Sequence, residues 1–153
     1  MKPSSVIHAF KNAVNGIVLT LKNERNFRIH VCVAVAVVWF SVIFGADRTQ
    51  IATLFIMFGV VMGFELFNTA IEITADMNVK EYNLYIKQIK DICAGGVSIG
   101  AVCAVVYAIV LFWDTAGWQR VWNTVLTNPV MDAAAVVYVG LSLWFIIGGK
   151  HDK

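Results

Sequence analysis

Residues 51–76 read IATLFIMFGVVMGFELFNTAIEITAD, and the whole fold turns on how that stretch is understood. From Ile51 to Thr74 it is apolar enough and long enough to cross a bilayer, which takes about 17–25 residues of helix. Yet it holds Glu65, Asn68 and Glu72, with Asp76 at its exit. At about 100° per residue, with Glu65 set at zero, Asn68 falls at about −60°, Glu72 at about −20° and Asp76 at about +20°. All four share one stripe. An acid within a span costs roughly 2.5–3.5 kcal/mol on insertion scales, so these side chains require a polar task, a partner or a metal.

The rest of the chain agrees that lipid is the solvent. It has 153 residues, 59% hydrophobic and 14% charged, with a mean hydropathy of +0.72, which excludes an ordinary soluble domain. Three further apolar runs stand out: 29–44, 92–113 and 130–147, the last broken only by Asp132 near its start. The expected fold class is therefore an all-α membrane protein, with three core transmembrane helices and a fourth near the C-terminus. Residues 1–117 form the expected core and 118–153 an extension. If the N-terminus is cytoplasmic, Lys2, Lys11, Lys22, Arg25, Arg28, Lys80, Lys87, Lys90, Lys150 and Lys153 all lie inside. Only Arg48 and Arg120 lie outside, a positive-inside pattern. The acidic stripe then belongs to the cytoplasmic half of its span.

Ahead of the first span, Val6, Ile7, Phe10, Ala13, Val14, Ile17, Val18 and Leu21 recur at helical spacing, with Lys11, Asn12, Asn15 and Lys22 on the other face. An amphipathic helix over 5–22 is expected, started by Pro3-Ser4-Ser5. It either lies along the membrane surface or packs on the bundle. Between the second and third spans, Met77 to Lys90 is polar and carries Lys80, Glu81, Lys87 and Lys90, followed by Asp91. Such stretches are usually solvated loops, but this one adjoins the acids, so its cations can reach an anion bound there. Phosphate with a divalent metal would satisfy both signs of charge. No secretory leader is expected, since the first apolar run starts near 29 without a small-residue cleavage site. Cys32, Cys93 and Cys103 show no metal-ligand spacing, and a net charge of +2 gives no reason to expect a nucleic-acid partner.

Glu65-Leu-Phe-Asn68-Thr-Ala-Ile-Glu72, followed by Asp76, Glu81 and Lys90-Asp91, resembles the signature of the prokaryotic integral-membrane diacylglycerol kinase family. So does Glu24-Arg-Asn-Phe-Arg28, behind a surface helix with Phe10, Ala13 and Gly16, and the resemblance runs over residues 5–113. It implies phosphoryl transfer from MgATP to the hydroxyl of a membrane lipid at the cytoplasmic membrane, by a homotrimer with sites between subunits. No GxGxxG or GxxxxGK[ST] phosphate loop is present. By resemblance, Glu65 is the general base toward the lipid hydroxyl, and Asn68 orients the site. Glu24 and Glu72 hold Mg²⁺. Lys90 lies near the transferred phosphates, Asp91 and Asp76 support it, and Glu81 contacts the nucleoside.

Two departures from the family pattern stand out, and the first bears on the substrate. After Glu24 the sequence Asn26-Phe27-Arg28-Ile29-His30 lacks a second acid carried by Gram-negative members, and resembles the Gram-positive branch with its undecaprenol kinases. Undecaprenol is thus the expected acceptor and diacylglycerol the alternative. The fourth span has no counterpart in the family core. Two rivals follow from residues alone: an ion or proton-coupled transporter subunit, the usual reading of intramembrane acids, and a lipid phosphatase. The first leaves Glu81 and Lys90-Asp91 unexplained. The second lacks a histidine pair, since His8, His30 and His151 are scattered.

Overall fold

The computed structural model describes residues 6–78 and 84–148, and no strand occurs among them. Their helices run α1 Val6–Asn23, α2 Arg25–Phe44, α3 Arg48–Asn78, α4 Leu84–Leu111, α5 Thr115–Thr127 and α6 Pro129–Ile147. Four of these, α2, α3, α4 and α6, are long and apolar enough to cross a membrane, as the hydropathy pattern predicts. The helices overrun the apolar runs at their polar ends. α2 starts at Arg25 and not at Ile29. α4 starts at Leu84, so Lys87, Lys90 and Asp91 stand on a helix and not in a loop. Hydropathy marks the lipid-embedded part of a helix, whereas backbone hydrogen bonding continues into the polar turns beyond it. At its other end α4 stops at Leu111, short of Trp113, because Asp114 accepts from the amides of Ala116 and Gly117 and opens a new helix.

The turns explain the antiparallel order. At the end of α2, Gly45 takes φ 90° and the amide of Ala46 returns to the Ser41 carbonyl at 2.9 Å, a left-handed helix stop. Asp47 then starts α3 by a reciprocal cap: its carboxylate accepts from the Gln50 amide at 2.8 Å, and the Gln50 side chain accepts from the Asp47 amide at 2.8 Å. Asn128 and Pro129 start α6 in the same spirit, with Asn128 capping the Met131 amide.

α3 and α4 form the most extensive helix pair. At Gly100 a Cβ would make ordinary van der Waals contact, 3.5 Å from both Val61 and Phe64, so the seam has room for a methyl group there and for little more. α2 packs on α3, and α5 closes the far end of α2 through a cluster of Phe40, Phe44, Phe112 and Trp118. α6 runs back along α2, with Tyr138 edge-on to Trp39 and its hydroxyl donating to the Cys32 carbonyl. α1 touches the bundle near its C-terminal end, where Thr20 is buried. Its apolar face is uncovered, Ile7 being 79% exposed, which favours the membrane-surface reading over packing on the bundle. The ends of α1, α3 and α6 and the starts of α2 and α4 thus gather at one end of the molecule.

Candidate functional site

Glu24 is the single residue between α1 and α2, in extended conformation at φ −104°, ψ 115°. It occupies the N-cap position but its side chain caps nothing, so the carboxylate is available to the space beside it. That space is a cavity of about 610 Å³ enclosed by the end of α1, the first turn of α2, the last turns of α3 and the start of α4. Glu24 and Glu72 both line it, from elements 48 residues apart in sequence, together with Asp76 and Lys90. Asp76 and Lys90 are joined by a salt bridge that ties α3 to α4 across the connection between them. Arg25, Asn23 and Asn26 complete the polar wall, and Thr20, Thr69, Leu19 and Ile73 supply the rest.

The helical stripe predicted from residues 65–76 is present, but its members do different things with depth. Glu65 is only 3% exposed and lies in the bundle, below the cavity wall and within electrostatic reach of Glu24 and Glu72. One turn on, the Asn68 amide donates from Nδ2 to Glu72 Oε1 at 3.0 Å. Its Oδ1 is buried with no partner, an acceptor held ready beside a carboxylate, and a cost to the fold unless something fills it. Thr69, also buried, returns its hydroxyl proton to the Glu65 carbonyl at 3.0 Å and so does not itself donate into the site.

The donor set suits a small hard cation. Mg²⁺ takes oxygen ligands, usually one or two protein carboxylates with phosphate and water, and Glu24 and Glu72 offer two carboxylates to one polar space. Among the described residues no group of three or more His, Cys, Asp or Glu side chains converges; that is the arrangement an all-protein cage for a softer metal would need. Lys90 and Arg25 bring positive charge to the same wall, as an anionic ligand requires.

Six of the eight predicted site residues thus converge on this region: Glu24, Glu65, Asn68, Glu72, Asp76 and Lys90. Asp91 is exposed and lies off the cavity wall, because one residue is about 100° of helix turn from Lys90. Glu81 lies outside the described residues. Sequence reasoning missed Arg25, Asn23 and Asn26 as wall residues. Their signal was adjacency to Glu24 at a helix junction, visible only once the break between α1 and α2 is placed.

The sequence model for the family described as prokaryotic diacylglycerol kinase matches residues 11–112. An undecaprenol kinase of Bacillus subtilis is 32% identical over 104 residues, covering 68% of this chain and 85% of that protein. A diacylglycerol kinase of Synechocystis sp. is 33% identical over 103 residues, covering 67% of this chain but only 59% of that protein. No solved structure matches the chain significantly. The matched segment contains every residue of the acidic site and ends just before α5. With four potential membrane spans and these acids at one end of them, the chain belongs to the prokaryotic diacylglycerol kinase family of ATP-dependent membrane lipid kinases.

Proposed function

We propose that the chain transfers the γ-phosphoryl group of MgATP to undecaprenol, giving undecaprenyl phosphate, with diacylglycerol as the alternative acceptor. The observation that carries this reading is the meeting of Glu24 and Glu72, from separate helices, on one polar cavity beside the buried Glu65. Undecaprenol is favoured because the similarity to the undecaprenol kinase extends over more of that protein's length, 85% against 59% for the diacylglycerol kinase. The missing second acid behind Glu24 points the same way.

Glu24 and Glu72 would hold the divalent ion, Mg²⁺, which when bound supplies charge neutralisation at the nucleotide phosphates. The chain's own groups do the rest. Lys90, its charge shared with Asp76, faces the anionic end of the nucleotide. Glu65, sheltered from bulk water, accepts the proton of the lipid hydroxyl as that oxygen attacks the γ-phosphorus. Asn68 holds Glu72 by its amide and offers Oδ1 as an acceptor to the hydroxyl or to water. Glu81 contacts the nucleoside, and Asp91 supports Lys90 from outside the cavity. An alcohol dissolved in the bilayer reaches Glu65 from the apolar side, while the nucleotide enters from the aqueous end, so the site sits where the two phases meet.

The site end of the bundle is cytoplasmic in this reading, along with the N-terminus, because ten of the chain's twelve Lys and Arg residues fall on that side. The active unit is a homotrimer in the same proposal. Gly59 and Gly63 have open space around them, which leaves that face of α3 room for another copy. Competition between undecaprenol and diacylglycerol tests the acceptor. The ratio of their kcat/KM values should favour undecaprenol, and a ratio favouring diacylglycerol would reverse the assignment.

A further inference from the structure

Arg28 is the largest fully buried side chain, 1% exposed, and no carboxylate accompanies it among the described residues. Its guanidinium reaches backbone carbonyls only. Nη1 donates to Lys22 at 2.8 Å and Leu21 at 3.3 Å, in the last turn of α1. Nη2 donates to Ile146 at 3.5 Å, in the last turn of α6. Helix C-termini carry partial negative charge, so two helix ends stand in for a counter-ion. In the backbone, the Arg28 amide donates to the Glu24 carbonyl at 3.3 Å. Arg28 therefore straddles Glu24: its main chain holds one side of that residue and its side chain holds α1 on the other.

The third carbonyl comes from a part of the chain outside the family match, which ends at residue 112. The same extension grips α2 along its length. Tyr138 donates to the Cys32 carbonyl and stacks edge-on with Trp39, and Arg120 donates to the Phe44 carbonyl at 3.1 Å. We propose that the C-terminal hairpin α5–α6 sets the position of Glu24 through Arg28, so that the extension is a positioning element of the nucleotide site. The inference rests on the reading of Glu24 as a ligand of the nucleotide-bound metal.

The physical cause is the cost of a bare cation beside hydrocarbon. While α6 is docked, its Ile146 carbonyl accepts from the guanidinium. Once α6 loosens, the charge turns toward the aqueous interface, as long cationic side chains near helix ends do. It then releases the Leu21 and Lys22 carbonyls, and the corner that carries Glu24 loses its fixed geometry. A lysine keeps the charge but cannot fork to two helices at once.

The test uses the full-length chain with Arg28→Lys, Tyr138→Ala and the two combined. Three quantities are read: KM for MgATP against kcat in lipid phosphorylation, binding of a non-hydrolysable ATP analogue, and amide hydrogen exchange of residues 24–28 without nucleotide. Arg28→Lys should raise KM about tenfold, the scale expected on losing a hydrogen bond to a charged group, with kcat nearly unchanged. Tyr138→Ala should shift KM in the same direction, and both should speed exchange at 24–28 while leaving α3 and α4 protected. The combined variant should fall short of the product of the two effects, because they act through one contact. The proposal is overturned if Tyr138→Ala leaves exchange at 24–28 and KM at their parent values, or if the two effects simply multiply. Should Tyr138→Ala fail to fold, Tyr138→Phe, which loses only the hydroxyl, decides on the same criteria. If the parent phosphorylates no lipid alcohol, the kinase reading fails, while hydrogen exchange still decides the link from α6 through Arg28 to residues 24–28.

Discussion

Asn68 offers a test in which two substitutions at one position must differ for an electrostatic reason. Its Nδ2 donates to Glu72 Oε1 at 3.0 Å, and its Oδ1 is buried without a partner. Asn68→Leu removes a hydrogen bond to a charged group, worth about 1.5–3 kcal/mol. If that energy serves to hold Glu72 in place, kcat/KM should fall about 10- to 100-fold, at roughly 1.4 kcal/mol per tenfold. Asn68→Asp does more harm, since it sets a second carboxylate where the donor was. Two unit charges about 4 Å apart repel by about 4 kcal/mol at an effective dielectric of 20, so a further loss of at least about tenfold is expected even after partial relief by protonation. Leucine is apolar and similar in size, so helicity by circular dichroism and thermal stability should hold or rise in Asn68→Leu. The assay is the initial rate of label transfer from γ-labelled ATP to lipid in liposomes at saturating acceptor. Activity of Asn68→Leu equal to that of the parent, or an Asp variant no worse than the Leu variant, would refute the role given to the Asn68–Glu72 pair.

Glu65→Gln should abolish lipid phosphorylation yet bind a non-hydrolysable ATP analogue nearly as the parent does, because the lost group handles a proton and not the metal; equilibrium binding checks this. Glu24→Gln and Glu72→Gln should each weaken MgATP binding and regain part of their activity as Mg²⁺ is raised, which a magnesium titration of the rate would show. Gly100→Leu should destabilise the α3–α4 pair by about 1–3 kcal/mol through overpacking against Val61 and Phe64, read as a lowered unfolding midpoint, whereas alanine at that position should be tolerated.

The spans were readable from the sequence because the cost of a polar group in hydrocarbon is large enough to sort residues without help from neighbours. The stripe of Glu65, Asn68, Glu72 and Asp76 was readable because helix periodicity alone sets which side chains share a face. The meeting of Glu24 with Glu72 depends on a tertiary contact between helix ends and came only with the family resemblance. α5 was missed although Trp118, Val121, Trp122, Val125 and Leu126 repeat at helical spacing behind the capping Asp114. At 13 residues it is too short to register as a span, and a hydropathy reading has no category for a helix lying at the bundle's end. In the sequence Arg28 is an inner-side cation and the last member of the Glu24-Arg-Asn-Phe-Arg28 segment. Its burial against carbonyls of α1 and α6 follows from where α6 ends, and no local pattern reports that.

The central claim is that acids at one end of a membrane bundle hold a nucleotide and activate an alcohol dissolved in the lipid. The most direct measurement incubates the purified full-length chain, in liposomes containing undecaprenol, with Mg²⁺ and γ-labelled ATP, then separates the lipids. The account predicts label in undecaprenyl phosphate for the parent and none for Glu65→Gln. An unlabelled lipid fraction from the folded parent, with undecaprenol and with diacylglycerol alike, would contradict it.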